Sequence, residues 1–126
     1  VNDWDTIKKE CPRLYKNGIA FCCGPGWYDL IRDLSNDIEK ILVENDIAYM
    51  HLVQVKEKYG TLRIYMSTET EEISELIEAA EERSYSTCEL CGFPGTIRGI
   101  STHWLQTQCD KCYLKSTNPN VNRGIS

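Results

Sequence analysis

The 126-residue chain has no apolar run approaching the roughly 18 residues that a membrane-spanning helix requires, so no transmembrane segment is predicted. It has no internal repeat, heptad array or low-complexity tract, which excludes solenoids and long coiled coils. Histidine is scarce: His51 and His103 are the only two. Neither is placed by spacing beside an activated nucleophile, so general-base or nucleophilic catalysis has little to be built from. Gly24-Pro25-Gly26 fits neither a phosphate-binding P-loop nor the dinucleotide fingerprint. Val1-Asn2-Asp3-Trp4-Asp5 has neither a basic nor an apolar region, and the expectation is a chain without a signal peptide.

Positive charge is also in short supply. Fourteen Lys and Arg face nineteen Asp and Glu, a net charge of -5. Residues 1–87 carry ten cations against seventeen acids, and residues 88–126 carry four against two. Adding four thiolates and one Zn2+ would make the C-terminal part formally neutral. This balance argues against nucleic acid as a partner, because phosphate neutralisation needs clustered basic side chains.

What is present is an ordinary globular mixture, 41% hydrophobic and 26% charged. Seven cysteines is an odd number, so they cannot all pair within the chain. The most specific pattern lies between Cys88 and Cys112. Cys88 and Cys91 enclose two residues, as do Cys109 and Cys112, and 17 residues separate the pairs. Two-residue gaps let both sulfurs of a pair reach one ion while the backbone turns, and four thiolates close a tetrahedron without leaving a position for substrate. The expected cofactor is therefore structural Zn2+ in a zinc-ribbon-like module. The alternatives are an iron–sulfur centre, a redox pair, disulfides, or His103 replacing one sulfur. No buried strand precedes Cys88 as a redox pair requires, and disulfides require an oxidising compartment. The metal pattern predicts a cytoplasmic protein.

Along the chain, Asp3 or Asp5 can cap a first helix with Trp4, Ile7, Cys11 and Leu14 on one face, interrupted by Pro12. Ile19, Phe21 and Cys23 alternate as in a short extended segment. Trp27, Leu30, Ile31, Leu34, Ile38, Ile41 and Leu42 then recur at helical spacing to about Asn45. From Leu52 the period changes to two: Leu52–Lys56 and Thr61–Met66 predict strands joined through Glu57-Lys58-Tyr59-Gly60. Val53, Val55, Leu62, Ile64 and Met66 are expected to face the core. Lys56, Lys58, Arg63 and Tyr65 are expected to gather on the exposed side. A second amphipathic helix buries Ile73, Leu76, Ile77 and Ala80, with Thr68 as its cap and Glu71 completing a capping box. Between the cysteine pairs, residues 95–98 and 103–107 predict a small hairpin around Gly99. The expected fold is α+β: two main amphipathic helices on a small antiparallel sheet (residues 1–87), the zinc module (88–115) and a polar tail (116–126).

Two surfaces are candidates for recognition. One is the hairpin face of Lys56, Lys58, Arg63 and Tyr65. The other is the part of the metal module bearing Arg98, His103 and Trp104. Cys22 and Cys23 precede a helix, where a thiol can be activated, but burial as small hydrophobes is the stronger expectation.

Three separated stretches together resemble a family of small, largely uncharacterised proteins of bacteria and their phages. These are Gly26-Trp27 opening a helix, Lys56-Glu57-Lys58-Tyr59-Gly60-Thr61-Leu62-Arg63-Ile64-Tyr65, and the segment from Ala80 through Cys112. The likeness spans about residues 20–113. It implies a protein of the bacterial host cytoplasm and a role in host–phage conflict, without supplying catalytic residues. The expectation is a non-catalytic protein-binding or inhibitory protein whose partner is a bacterial protein or a second copy of itself. A small anionic ligand or nucleotide held by the basic hairpin face is the alternative.

Overall fold

The computed structural model describes residues 4–99 and 105–117. Helix α1 (Trp4–Glu10) stops just before Pro12, whose ring and missing N–H oppose continuation. Ile7, Cys11 and Leu14 still reach the core because the following residues are held in place by a buried carboxylate. Glu39, from the next helix, accepts the amides of Arg13 at 3.2 Å and Leu14 at 2.9 Å. Tyr15 exchanges a buried 2.6 Å hydrogen bond with Ser35 of the same helix.

Strand β1 (Phe21–Cys22) leads to a 3-10 turn at Pro25–Trp27 and then to helix α2 (Tyr28–Glu44). The helical spacing of its apolar residues buries Leu30, Ile31, Leu34, Ile38 and Leu42, with Trp27 fully buried at its start. Strands β2 (Leu52–Lys58) and β3 (Thr61–Met66) form an antiparallel hairpin. The turn is Tyr59-Gly60 alone, shorter than expected, with φ of 55° and 83°. Positive φ at both central residues matches the right-handed twist of the flanking strands.

The sheet order is β1-β2-β3. It is mixed and not wholly antiparallel, because β1 runs parallel to β2. The chain passes from β1 to β2 through α2, and a helical crossover returns it in the same direction. Val53 does not face the core: it is exposed, while Leu52 and Val55 are buried. The pairing shifts between Leu52 and Gln54, and this irregularity breaks the two-residue alternation.

Helix α3 (Glu71–Ser84) packs on α2 and β3 and buries Ile73, Ile77 and Ala80. Its cap is Thr70 and not Thr68, with the Thr70 side chain accepting from the Ile73 amide at 3.2 Å. That puts Ile73 at the third helical position, so no capping box forms. Strand β3 is an edge of the sheet, and α3 occupies its open amides. Leu62 N–H donates to Ser84 Oγ at 3.0 Å, and Ile64 N–H to a Glu81 carboxylate oxygen at 2.9 Å. A covered edge is closed to strand addition.

The cysteine segment forms β4 (Thr96–Arg98) and β5 (Gln106–Gln108), an antiparallel pair, followed by helix α4 (Asp110–Thr117). Of the expected second strand, residues 103 and 104 lie outside the described residues, Leu105 is not in the strand, and the strand runs on to Gln108. The expected zinc module and polar tail meet within α4, whose short amphipathic pattern is weak. No helix among the described residues is long and apolar enough to cross a membrane.

Candidate metal centre

The two cysteine pairs are built differently. Cys88 and Cys91 sit on a tight knuckle: the Cys88 amide donates to Phe93 O at 2.7 Å and the Gly92 amide to Cys88 O at 2.9 Å. Gly92 completes the turn with a φ of 85°. The second pair is not a knuckle between strands, as a ribbon would have it. Cys109 lies between β5 and α4, and Cys112 is in the first turn of α4, three residues on, a spacing that turns both thiols the same way. The Cys112 amide donates to Cys109 Sγ at 3.4 Å.

These elements bring the four ligand sulfurs within 4.8 Å of one another. Cys91 and Cys109 are 3.5 Å apart, sulfur to sulfur. A tetrahedral ion with sulfurs at about 2.3 Å would separate them by about 3.8 Å, so the cluster could hold a metal ion with little rearrangement. Cys88 and Cys109 are buried, Cys112 is half-buried and Cys91 is exposed. The surroundings favour charge on the two buried sulfurs. Burial raises the Cys88 thiol, but the amides of Cys109, Cys91 and Leu90 outweigh it and bring it down to about 7. The Cys112 amide lowers Cys109. Burial, followed by the neighbouring sulfurs, pushes Cys112 up to about 12, and burial also raises Cys91. Four thiols this close share their protons, and a cation removes the conflict.

The cluster is tied to the rest of the molecule by residues that the spacing of the cysteines does not reveal. Glu89, buried between the ligands, accepts the Gly24 amide at 2.8 Å and the Gln106 side-chain amide at 3.4 Å. Its carboxyl is raised, chiefly by burial and further by the Glu57 charge, against the lowering effect of those donors. Its backbone carbonyl accepts Gly26 N–H at 2.6 Å, and its amide donates to Thr107 O at 2.9 Å. Trp27 Nε1–H donates to Thr87 O at 2.9 Å. Thr107, fully buried, donates its hydroxyl to Gly60 O at 2.6 Å. A side chain at Gly26 would overlap the Cys88 carbonyl and the Glu89 backbone. Only glycine lets the knuckle lie directly on the start of α2.

The other candidate residues are not brought together at the metal centre. Lys56 and Arg63 are directly opposite each other across the hairpin, and Lys58 and Tyr65 share their face. Arg98, in β4 of the metal module, is bonded to Asp110 at 2.5 Å and lies over the Tyr113 ring, 4.5 Å from its centre. His103 and Trp104 lie outside the described residues. His51 meets Asn17 at 3.2 Å, away from every cysteine. Cys22 is exposed, and Cys23 is half-buried with its thiol pushed up to about 12 by burial, then by Glu89, Cys22 and Glu57. Among the described residues no histidine is brought to either thiol.

No family model, curated protein or solved structure matches the chain.

Proposed function

We propose that this is a non-catalytic binding protein in which Cys88, Cys91, Cys109 and Cys112 hold a structural Zn2+ ion. The observation that carries this reading is the junction at Glu89. The knuckle that would grip the ion is hydrogen-bonded to Gly24 and Gly26 at the head of α2. Four thiolates fill the coordination shell of zinc, so an ion there contributes folding energy and offers no position for a reacting water. Iron would be held by the same sulfurs, but zinc suits a closed site that needs no redox chemistry.

The partner in this reading is a bacterial protein. Support comes from the likeness of Gly26-Trp27, Lys56–Tyr65 and Ala80–Cys112 to small phage and bacterial proteins, which also supports the bacterial cytoplasm as the setting and interference with a host protein as the role. A second reading, a small anionic ligand on the basic hairpin, is favoured by the placement of Lys56 opposite Arg63. Metal analysis of the purified chain is expected to give one zinc per molecule, lost in Cys88→Ser and Cys112→Ser. Affinity capture from bacterial lysate is then expected to retain a protein. Zinc retained in both variants would overturn the metal assignment. A co-purifying nucleotide with no captured protein would favour the second reading.

A further inference from the structure

We infer that the outer face of the β1-β2-β3 sheet is a docking surface for an acidic segment of a protein partner. This rests on the binding-protein reading above and adds the chemistry of the partner. The pairing places side chains in rows across the strands. Cys22, Lys56 and Arg63 form one row, Gln54 and Tyr65 the next, and Lys58 and Thr61 the third. The opposite face carries Val55, Leu62 and Ile64 into the core. Three cations thus share one face of a small sheet, in a chain of net charge -5.

Two of them, Lys56 and Arg63, stand directly opposite each other, a pairing that costs stability because like charges repel across a strand pair. No ion pair among the described residues relieves it: those pairs involve Arg13, Arg32, Lys40, Arg83 and Arg98 and none of these three cations. Glu57, the acid between the two lysines of β2, belongs to the other face by its register with Leu62 and accepts the Gly60 amide at 2.7 Å. Tyr65, 44% exposed, supplies an aromatic contact beside the cations. Tyr and Arg are the side chains that dominate protein interfaces, and a guanidinium grips a carboxylate through two parallel hydrogen bonds.

Number and shape decide between anions. Nucleic-acid binding draws its affinity from the neutralisation of many phosphates by clustered Lys and Arg, and this face offers three cations. The acidic remainder of the chain repels a polyanion further. The face is a sheet surface, and small ligands are held in concavities. A short acidic stretch of a folded or extended protein needs few cations, carries far less charge to be repelled than a polyanion, and can lie on an open sheet surface.

The test is a selection of random dodecapeptides by messenger-RNA display against the full, metal-loaded chain. Lys56→Gln and the double variant Lys56→Glu/Arg63→Glu are run alongside, and oligothymidylate binding is measured by fluorescence anisotropy. The expected result is enrichment of Asp and Glu in the retained peptides. Their affinity should fall at least about tenfold in the double variant. Lys56→Gln should weaken binding while its melting temperature stays equal or rises, which separates loss of recognition from loss of fold. Retained peptides without acidic enrichment, or acidic peptides bound equally by both variants, would overturn this inference and leave the binding-protein reading standing. Oligothymidylate bound more tightly than every peptide would assign the face to nucleic acid. Retention of no peptide and no oligonucleotide would overturn both.

Discussion

Tyr59 holds a φ of 55° although it is a bulky residue with 64% of its surface exposed. The left-handed region costs an L-residue about 1 to 2 kcal/mol, and Lys58 Nζ lies over the exposed ring at 5.5 Å from its centre. Tyr59→Gly is therefore expected to stabilise the protein by up to about 1 kcal/mol in urea unfolding, the gain being reduced by the extra freedom of the unfolded chain. The reverse holds next door. Gly60 has a φ of 83°, and a Cβ there would press on the Gln106 amide and the Ile97 side chain at 3.2 Å. Gly60→Ala is expected to destabilise, with the loss read in the same unfolding experiment. Thiol chemistry separates the remaining cysteines in the same residue-by-residue way. Burial pushes Cys11 and Cys23 up to about 12, so both remain neutral thiols at pH 8, whereas Cys22 is exposed. Iodoacetamide at pH 8 should label Cys22 first in the metal-loaded protein, as mass spectrometry of peptides would record; faster labelling of Cys11 would contradict the burial. Sequence spacing was enough to identify the four clustered cysteines and the common face of the hairpin cations, of which Lys58 is exposed and Lys56 and Arg63 are half-buried, since both groupings follow from local geometry. It could not identify Glu89 or Thr107. Each is an ordinary polar residue whose burial depends on a partner more than forty positions away, and no local pattern carries that information.

At the scale of elements, helix α3 does two jobs for the sheet: it covers the core and it closes the β3 edge. Ser84 is fully buried, accepts the Leu62 amide at 3.0 Å and donates to Glu81 O. Ser84→Ala removes the acceptor and leaves the Leu62 N–H without a partner, a loss of about 1 to 3 kcal/mol. Urea unfolding should show it as a shifted midpoint with an unchanged slope. The cap provides a paired control. Thr70→Ala should cost about 1 kcal/mol by freeing the Ile73 amide, whereas Thr68→Ala, in the preceding exposed turn, should cost almost nothing. Both threonines look alike in the sequence because each stands three residues before a plausible third helical position. The difference is set by where the chain leaves β3, which is a tertiary constraint. The long amphipathic helices and the hairpin were legible because periods of 3.6 and 2 arise from local geometry. The parallel β1 and the shift at Leu52/Gln54 were not, since two-residue strands and bulges leave almost no periodic trace. Helix α4 was hidden for a related reason: eight residues with one cysteine facing inward give little amphipathic signal.

Across the whole molecule, three stretches far apart in the sequence converge on one junction. Gly26 and Trp27 donate to the backbone of Glu89 and Thr87, Gly60 at the hairpin tip accepts from Thr107, and Glu89 links the cysteine pair to Gly24. A metal at the four sulfurs would therefore fix not only its own loop but the head of α2 and the turn that orients Lys56, Lys58 and Arg63. Four hydrogen bonds cross the junction: Gly26 to Glu89, Gly24 to Glu89, Trp27 to Thr87 and Thr107 to Gly60. At a net of about 1 kcal/mol each, their loss would remove about 4 kcal/mol of stability. For a chain of this size that corresponds to a melting temperature lowered by about 15 °C. Removal of the metal by a strong chelator is expected to produce such a drop. Hydrogen exchange should locate it: the Gly26 and Glu89 amides lose protection first, while the Leu62 amide, bonded to Ser84 within the α3–β3 contact, keeps more of its own. Restoring Zn2+ should return protection at Gly26. If chelation left Gly26 protected and the melting temperature unchanged, the junction would stand without the ion, and the cysteine cluster would have no part in holding the sheet face in place.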